Sequence, residues 1–242
     1  MRTRPSWGTG PRDWADGLRT RPPPASPATG DLDALARRAI GLVQEGRRAI
    51  LAIAGSPGAG KTTLARALVA RVDALAGDGT AACVPMDGFH LANATLDRLG
   101  RHDRKGAIDT FDGWGVLALV RRLRVETDHV VYAPSFDRSV DEGVAGAVAV
   151  DPGTRLVVLE GNYLLVDEDP WGQLAAELDE AWFCATPGAE RFARLVDRHT
   201  AGGRAPSAAE AWAREVDGAN AALIEATRGR ADLVVDGTAA LQ

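Results

Sequence analysis

Hydrophobic residues follow two patterns along this chain. Ala49 to Ala54 and Leu156 to Leu159 are continuously apolar, which reads as strands buried on both faces. Thr80 to Met86, Glu180 to Ala185 and Ala231 to Val235 read as further strands. Between them, apolar residues recur at helical spacing. Leu32, Leu35, Ala39 and Val43 trace a helix capped by Asp31 and stopping at Gly46. Leu64, Leu68, Val72 and Leu75 trace a second, Leu117, Val120 and Leu123 a third within Trp114 to Val125, and Ala189 to Thr200 forms another. Ser207-Ala208-Ala209-Glu210 fits a capping box opening a last helix with Trp212, Val216 and Leu223 inward. Leu91 to Leu99 predicts a short helix and Gly100 to Asp112 a polar loop. Val130 to Tyr132 and Val144 to Val150 predict short strands flanking a loop, Ala133 to Asp141. Strands alternating with helices predict an α/β fold with a parallel sheet.

Residues 1–30 show no such period. Pro22, Pro23, Pro24 and Pro27 among Arg, Gly, Thr and Ser predict a disordered tail, in which Trp7 and Trp14 are the large apolar groups. The folded domain is expected over 31–242.

Chemistry concentrates where the first buried strand ends. Gly55-Ser56-Pro57-Gly58-Ala59-Gly60-Lys61-Thr62 has the spacing G-x-x-x-x-G-K-T, with Thr63 next, between a strand and a helix. That context makes it a phosphate-binding P-loop. Glycines let the backbone turn and aim N–H groups at phosphate oxygens, and the helix N-terminus adds its dipole. Lys61 is expected on the β- and γ-phosphates and Thr62 on Mg²⁺.

Composition sharpens this. Of 28 basic residues only Lys61 and Lys105 are lysine, so an arginine-using chain departs from its habit inside the loop. The net charge of −5 argues against a nucleic-acid-coating protein. No run reaches the roughly 18 apolar residues of a membrane span, and no apolar run follows the N-terminal arginines as in a secretory signal. Cys83 and Cys184 lie far apart in apolar surroundings and read as reduced thiols of a cytoplasmic protein. Self-association is left open.

Ligands of open parallel sheets bind beyond the carboxyl ends of the strands. Asp87 follows the second strand and Glu160 follows Leu156 to Leu159. Phosphoryl transfer needs one acid to organise Mg²⁺ and another to take the proton of an attacking hydroxyl. Glu160 suits the first role and Asp87 the second; each could instead cap the following turn. Arg191, Arg194 and Arg198 share a helix face before a glycine-rich loop with Arg204, as in an arginine-bearing lid. Histidines lack metal-ligand spacing, so no zinc site is expected. Asp112 to Gly115 fits D-x-x-G, but no N-K-x-D follows to select guanine.

In this order, the P-loop, Met86-Asp87-Gly88-Phe89-His90, Arg104-Lys105-Gly106, Phe136-Asp137-Arg138, Leu159-Glu160-Gly161-Asn162-Tyr163 and Arg194 to Arg198 resemble the P-loop kinases that include uridine kinase, phosphoribulokinase and type I pantothenate kinase. The resemblance runs from Arg48 to Val235. It implies a three-layer P-loop NTPase sandwich with a five-stranded parallel core and a lid. It implies Asp87 as catalytic base and Lys61 as catalytic partner. ATP would contact Gly55 to Thr63, Arg198 and Arg204, and Mg²⁺ would contact Thr62 and Glu160. His90, Arg104, Lys105, Asp137, Arg138 and Tyr163 would contact a small-molecule hydroxyl acceptor. His90 stands where uridine kinases carry Tyr, and Ile108 where pantothenate kinase has Pro, so the acceptor is not specified. A nucleotide-binding regulator without phosphotransfer, and a simple ATPase, are the competing expectations.

Overall fold

The computed structural model describes residues 31–238; the expected tail, with Trp7 and Trp14, lies outside the described residues. Asp31 caps α1 (Leu32–Ile40), accepting from the N–H groups of Asp33 and Ala34. This helix ends at Gly41 rather than Gly46. Leu42 and Val43 donate to the carbonyls of Ala39 and Ile40, a tightened turn that closes the helix early.

β1 (Ala49–Ala54) is buried along its whole length, and the P-loop leads into α2 (Lys61–Ala76). β2 (Ala81–Pro85) runs into a 3₁₀ turn, Met86–Phe89, that carries Asp87. α3 (Asn93–Leu99) is the short helix expected over Leu91 to Leu99, and two 3₁₀ turns, His102–Arg104 and Ile108–Thr110, lie in the polar loop. Asp112 accepts from the Gly115 N–H at 2.8 Å and so caps α4 (Gly113–Val125); its D-x-x-G match is a helix cap.

β3 (Val131–Asp137) and β4 (Glu142–Val150) form an antiparallel hairpin with an irregularity between Ala133 and Ser135. The strand therefore includes Ala133 to Asp137, and the connecting loop is shorter than the sequence suggests. β5 (Leu156–Gly161), α5 (Trp171–Leu174), β6 (Glu180–Ala185), α6 (Gly188–Ala201), α7 (Pro206–Glu225) and β7 (Leu233–Asp236) complete the described chain.

The five-stranded sheet has the order β2-β5-β1-β6-β7, with every pair parallel. Alternation along β1 sends Ile50 and Ala52 toward α4 and Leu51 and Ile53 toward α1 and α2. Two cores on opposite faces make the three layers. The crossovers place the ends of β1, β2 and β5 along one edge, as parallel connectivity dictates.

The last helix differs from expectation. Pro206 occupies its first turn, Ala205 is the cap residue, and no side chain caps it. Ser207 and Glu210 thus lie inside the helix and form no capping box, because proline is pre-organised for the first helical position. The buried face is Ala209, Ala213, Asp217, Asn220, Ala221 and Ile224, while Leu223 is exposed. Small residues let α7 lie against α6. Among the described residues no helix is long and apolar enough to cross a membrane, and Cys83 and Cys184 are free thiols.

Candidate active site

The P-loop can follow its path only with glycine at key places. A Cβ on Gly55 would lie 2.6 Å from the Cys184 carbonyl oxygen, and one on Gly58 would lie 2.8 Å from that of Arg191. Gly58 and Gly60 also have φ of +77° and +93°, which favour glycine. The Ala59 carbonyl accepts from the Cys184 thiol and the Thr186 hydroxyl, fastening the loop to the end of β6. Pro57 is buried. Ser56 is fully buried, and its hydroxyl donates to Glu225 on α7 at 2.6 Å. Nothing in the sequence pairs those two residues, 169 positions apart.

Lys61 is buried, and its ammonium donates to the Ser56 carbonyl at 3.1 Å. Burial pushes its pKa down, and the carboxylates of Glu160 and Asp87 act against that. The Thr62 hydroxyl donates to Glu160 at 2.9 Å. Thr63, one residue on, is exposed.

β5 lies between β1 and β2, with Glu160 level with Ile53 on one side and Pro85 on the other. Glu160 is only 4% exposed. Burial first, then the charge of Asp87, pushes its carboxyl up to about 7, against Lys61 and the Thr62 hydrogen bond. Asp87 is half-buried and lies within electrostatic range of Lys61, Glu160 and Arg198. Its turn is clamped by the hairpin. A Cβ on Gly88 would meet the Pro134 backbone at 2.4 Å, and one on Gly143 would meet the Gly88 oxygen at 2.5 Å.

His90 closes the same turn. Its N–H and its ring Nδ1 both reach the Asp87 carbonyl, at 3.2 and 2.7 Å. A carbonyl only accepts, so Nδ1 carries the proton. The ring lies 4.0 Å from that of Phe111 and 4.7 Å from that of Phe136. Burial pushes its pKa down, against the charge of Asp87.

The polar loop is tied to protein partners. Arg104 forks onto Asp109 at 2.8 and 3.3 Å and holds that carboxyl below its usual range. Lys105 donates to Asn93 at 2.6 Å and to Asp141 at 2.8 Å, with its ammonium 5.1 Å above the Phe136 ring. Tyr163, expected on the acceptor, is wholly buried behind the loop and donates to the Gly106 carbonyl at 2.6 Å. Asn220 of α7 donates to the same carbonyl. Asp137 accepts from the N–H and hydroxyl of Ser139 and so caps the hairpin turn. Arg138 next to it is exposed.

Of the three arginines along α6, one ties the helix to the segment after β6 and one to the P-loop. Arg191 donates to the Thr186 carbonyl and approaches Glu225 at 3.6 Å. Arg194 donates to the Gly58 carbonyl at 3.2 Å and pairs with Glu190. Arg198, exposed near the end of α6, lies within electrostatic range of Lys61, Asp87, Asp217 and Arg138. Arg204 lies 3.9 Å above the Trp212 ring on α7.

A glycine loop on β1 and α2, with a buried acid on the adjacent strand bonded to its threonine, defines a P-loop NTPase. Comparison with known proteins narrows that class. No family model matches the chain. A Schizosaccharomyces pombe protein named "Putative uridine kinase C227.14" is 33% identical over 193 residues, covering 78% of this chain and 82% of that one. "Uncharacterized protein YggC" of Escherichia coli is 34% identical over 203 residues, covering 83% and 82%. The crystal structure of a "putative fructose transport system kinase" from Silicibacter sp. superposes with a TM-score of 0.77 at 41% identity, covering 84% of this chain and 98% of that one. The chain belongs to the uridine kinase-like P-loop kinases.

Proposed function

We propose that the protein transfers the γ-phosphate of ATP to a hydroxyl of a small metabolite. The observation that carries this reading is Asp87, half-buried at the sheet edge and within electrostatic range of Lys61. A protein that only sensed nucleotide would need no such second acid.

The residues present fit the donor. Gly55 and Gly58 let the loop turn where a Cβ would strike the backbone of Cys184 and Arg191, and Lys61 lies buried at the loop's end. Lys61 would bind the β- and γ-phosphates, and Arg198 would face the transferring group. Thr62 and Glu160 would hold Mg²⁺, which supplies charge neutralisation on the phosphate oxygens when bound. No group of three or more His, Cys, Asp or Glu able to hold a metal exists among the described residues. Two protein ligands with phosphates and water completing the shell is the usual arrangement for this ion.

Asp87 would orient the acceptor hydroxyl and take its proton as the new O–P bond forms and the bond to ADP breaks. Positioning carries most of the rate in such transfers. The relatives' names differ on the acceptor, one a nucleoside and one a hexose, so the class supported is a small hydroxyl compound. Free thiols at Cys83 and Cys184 suit a reducing cytoplasm.

The test is ADP formation by purified protein with Mg·ATP and a panel of nucleosides, hexoses, ribose, pantothenate and glycerate. Stimulation by an acceptor supports the kinase. Tight ATP binding with no stimulation across the panel supports a regulator instead, and acceptor-independent hydrolysis an ATPase.

A further inference from the structure

A closed circuit of polar contacts holds the P-loop in place. Ser56 is fully buried, and its hydroxyl donates to Glu225 of α7 at 2.6 Å. Glu225 lies 3.6 Å from Arg191 of α6. Arg191 donates to the Thr186 carbonyl at 3.0 Å, and the Thr186 hydroxyl donates to the Ala59 carbonyl at 2.9 Å. The Ala59 N–H closes the circuit by donating to the Ser56 carbonyl at 3.1 Å. Ser56 and Ala59 belong to the loop, while Glu225, Arg191 and Thr186 come from three other segments.

Ser56 links this circuit to the phosphate-binding lysine. The carbonyl that takes the Ala59 N–H also takes the Lys61 ammonium, at 3.1 Å. One residue thus stands between Glu225 on its hydroxyl side and Lys61 on its carbonyl side. A hydroxyl shut away from water needs a protein partner, so the carboxylate fixes how Ser56 sits. Their separation suits an O–H donor on an ionised carboxylate, a bond about twice as strong as one between neutral groups. Glu225 is itself 36% exposed and would be satisfied by water without Ser56. The bond therefore serves the loop more than the acid. A carboxylate touching a phosphate-binding loop works against an incoming anion, and Arg191 beside it offsets that charge.

We infer that Glu225 is a positioning residue for the nucleotide: through the Ser56 hydroxyl it fixes the first turn of the P-loop in the shape that receives the phosphates. It does not touch the nucleotide. This rests on nucleotide binding at the P-loop and holds whichever acceptor the protein uses.

The experiment titrates the full chain with Mg·AMP-PNP by calorimetry, below the melting transition of every variant. Glu225→Ala is expected to raise the dissociation constant roughly 10-fold, the size of one hydrogen bond to a charged group. Glu225→Gln keeps an oxygen for the Ser56 hydroxyl and stays within about 3-fold of wild type. Ser56→Ala matches Glu225→Ala, and the double variant binds no more weakly than either single, because the two side chains act as one link. The bonds of Cys184 and Thr186 to the Ala59 carbonyl remain in every variant, and melting curves check that each is folded. Where Glu225→Ala does not fold, Glu225→Asp is judged by the same criterion, since it keeps the charge but falls one methylene short of Ser56. Wild-type affinity in Glu225→Ala, even with a lowered melting temperature, overturns the inference and leaves Glu225 a contact of stability alone. An equal further loss in the Ser56→Ala background overturns it as well, because Glu225 then acts by another route. Loss of affinity as expected, with no acceptor stimulating ADP formation, upholds the inference and sinks the kinase. No binding of Mg·AMP-PNP by the wild type overturns both.

Discussion

The Thr62 hydroxyl lies 2.9 Å from Glu160 Oε1 and joins α2 to β5 across the floor of the nucleotide cradle. That bond and Lys61 favour an ionised carboxylate, but burial and Asp87 prevail and push Glu160 from 4.5 to about 7. The folded chain therefore keeps a proton between those values that the unfolded chain releases. Stability from this group is full below the unfolded value and is lost as pH rises through about 7. In chelator, the urea midpoint of the wild type should fall between about pH 5 and 8 more steeply than that of Glu160→Gln. Equal slopes would show that Glu160 is ionised throughout.

Replacing Asp87 by Asn keeps the shape of the turn and removes the proton acceptor. Turnover with a competent acceptor should fall on the order of 10²- to 10⁴-fold. The ATP dissociation constant should change little, because Lys61, Thr62 and the glycine loop are untouched. Steady-state kinetics and a nucleotide titration separate the two quantities. Unchanged turnover takes Asp87 out of the chemistry.

Gly88→Ala puts a methyl group 2.4 Å from the carbonyl of Pro134 and 2.7 Å from the Ser135 nitrogen. Both are backbone atoms that cannot rotate aside. A loss of about 1–3 kcal/mol is expected in denaturant unfolding, with a raised KM for the acceptor. Gly153→Ala is the control, since nothing lies within 4 Å of a Cβ there; it should stay within about 0.5 kcal/mol of wild type.

Tyr163 and Asn220 both donate to the Gly106 carbonyl, at 2.6 and 3.2 Å. Removing one donor leaves the other. Tyr163→Phe should therefore destabilise by only about 1 kcal/mol. Tyr163→Phe combined with Asn220→Leu leaves the carbonyl without either donor and should lose more than the sum of the singles. A double-mutant cycle in urea checks this. Additive losses would mean that the two bonds act separately.

The sheet and most of the site's layout were legible because they depend on local patterns. A six-residue apolar run before G-x-x-x-x-G-K-T can hardly be anything but β1 and the P-loop, and parallel topology then places Asp87 and Glu160 on the same edge. What escaped was long-range pairing. The Ser56–Glu225 bond, the ties of Lys105 to Asn93 and Asp141, and the burial of Tyr163 under Gly106 join segments whose proximity no spacing rule encodes. Local rules also competed. Ser207 and Glu210 have capping-box spacing, but Pro206 starts the helix one residue sooner. Helical spacing carried the expected α1 past Gly41, where backbone turns closed it. Trp212 looked like core, yet its ring carries Arg204 instead.

The place of β5 between β1 and β2 turns the sheet into a ruler. Neighbouring strands are spaced about 4.8 Å, so two strand widths, roughly 10 Å, part the end of β1, which leads into the P-loop, from the end of β2, which leads into the Asp87 turn. Insertion of another strand would widen that spacing, and removal of β5 would press the two turns together. The hydrogen-bond ladder thus fixes the spacing between the P-loop and the Asp87 turn.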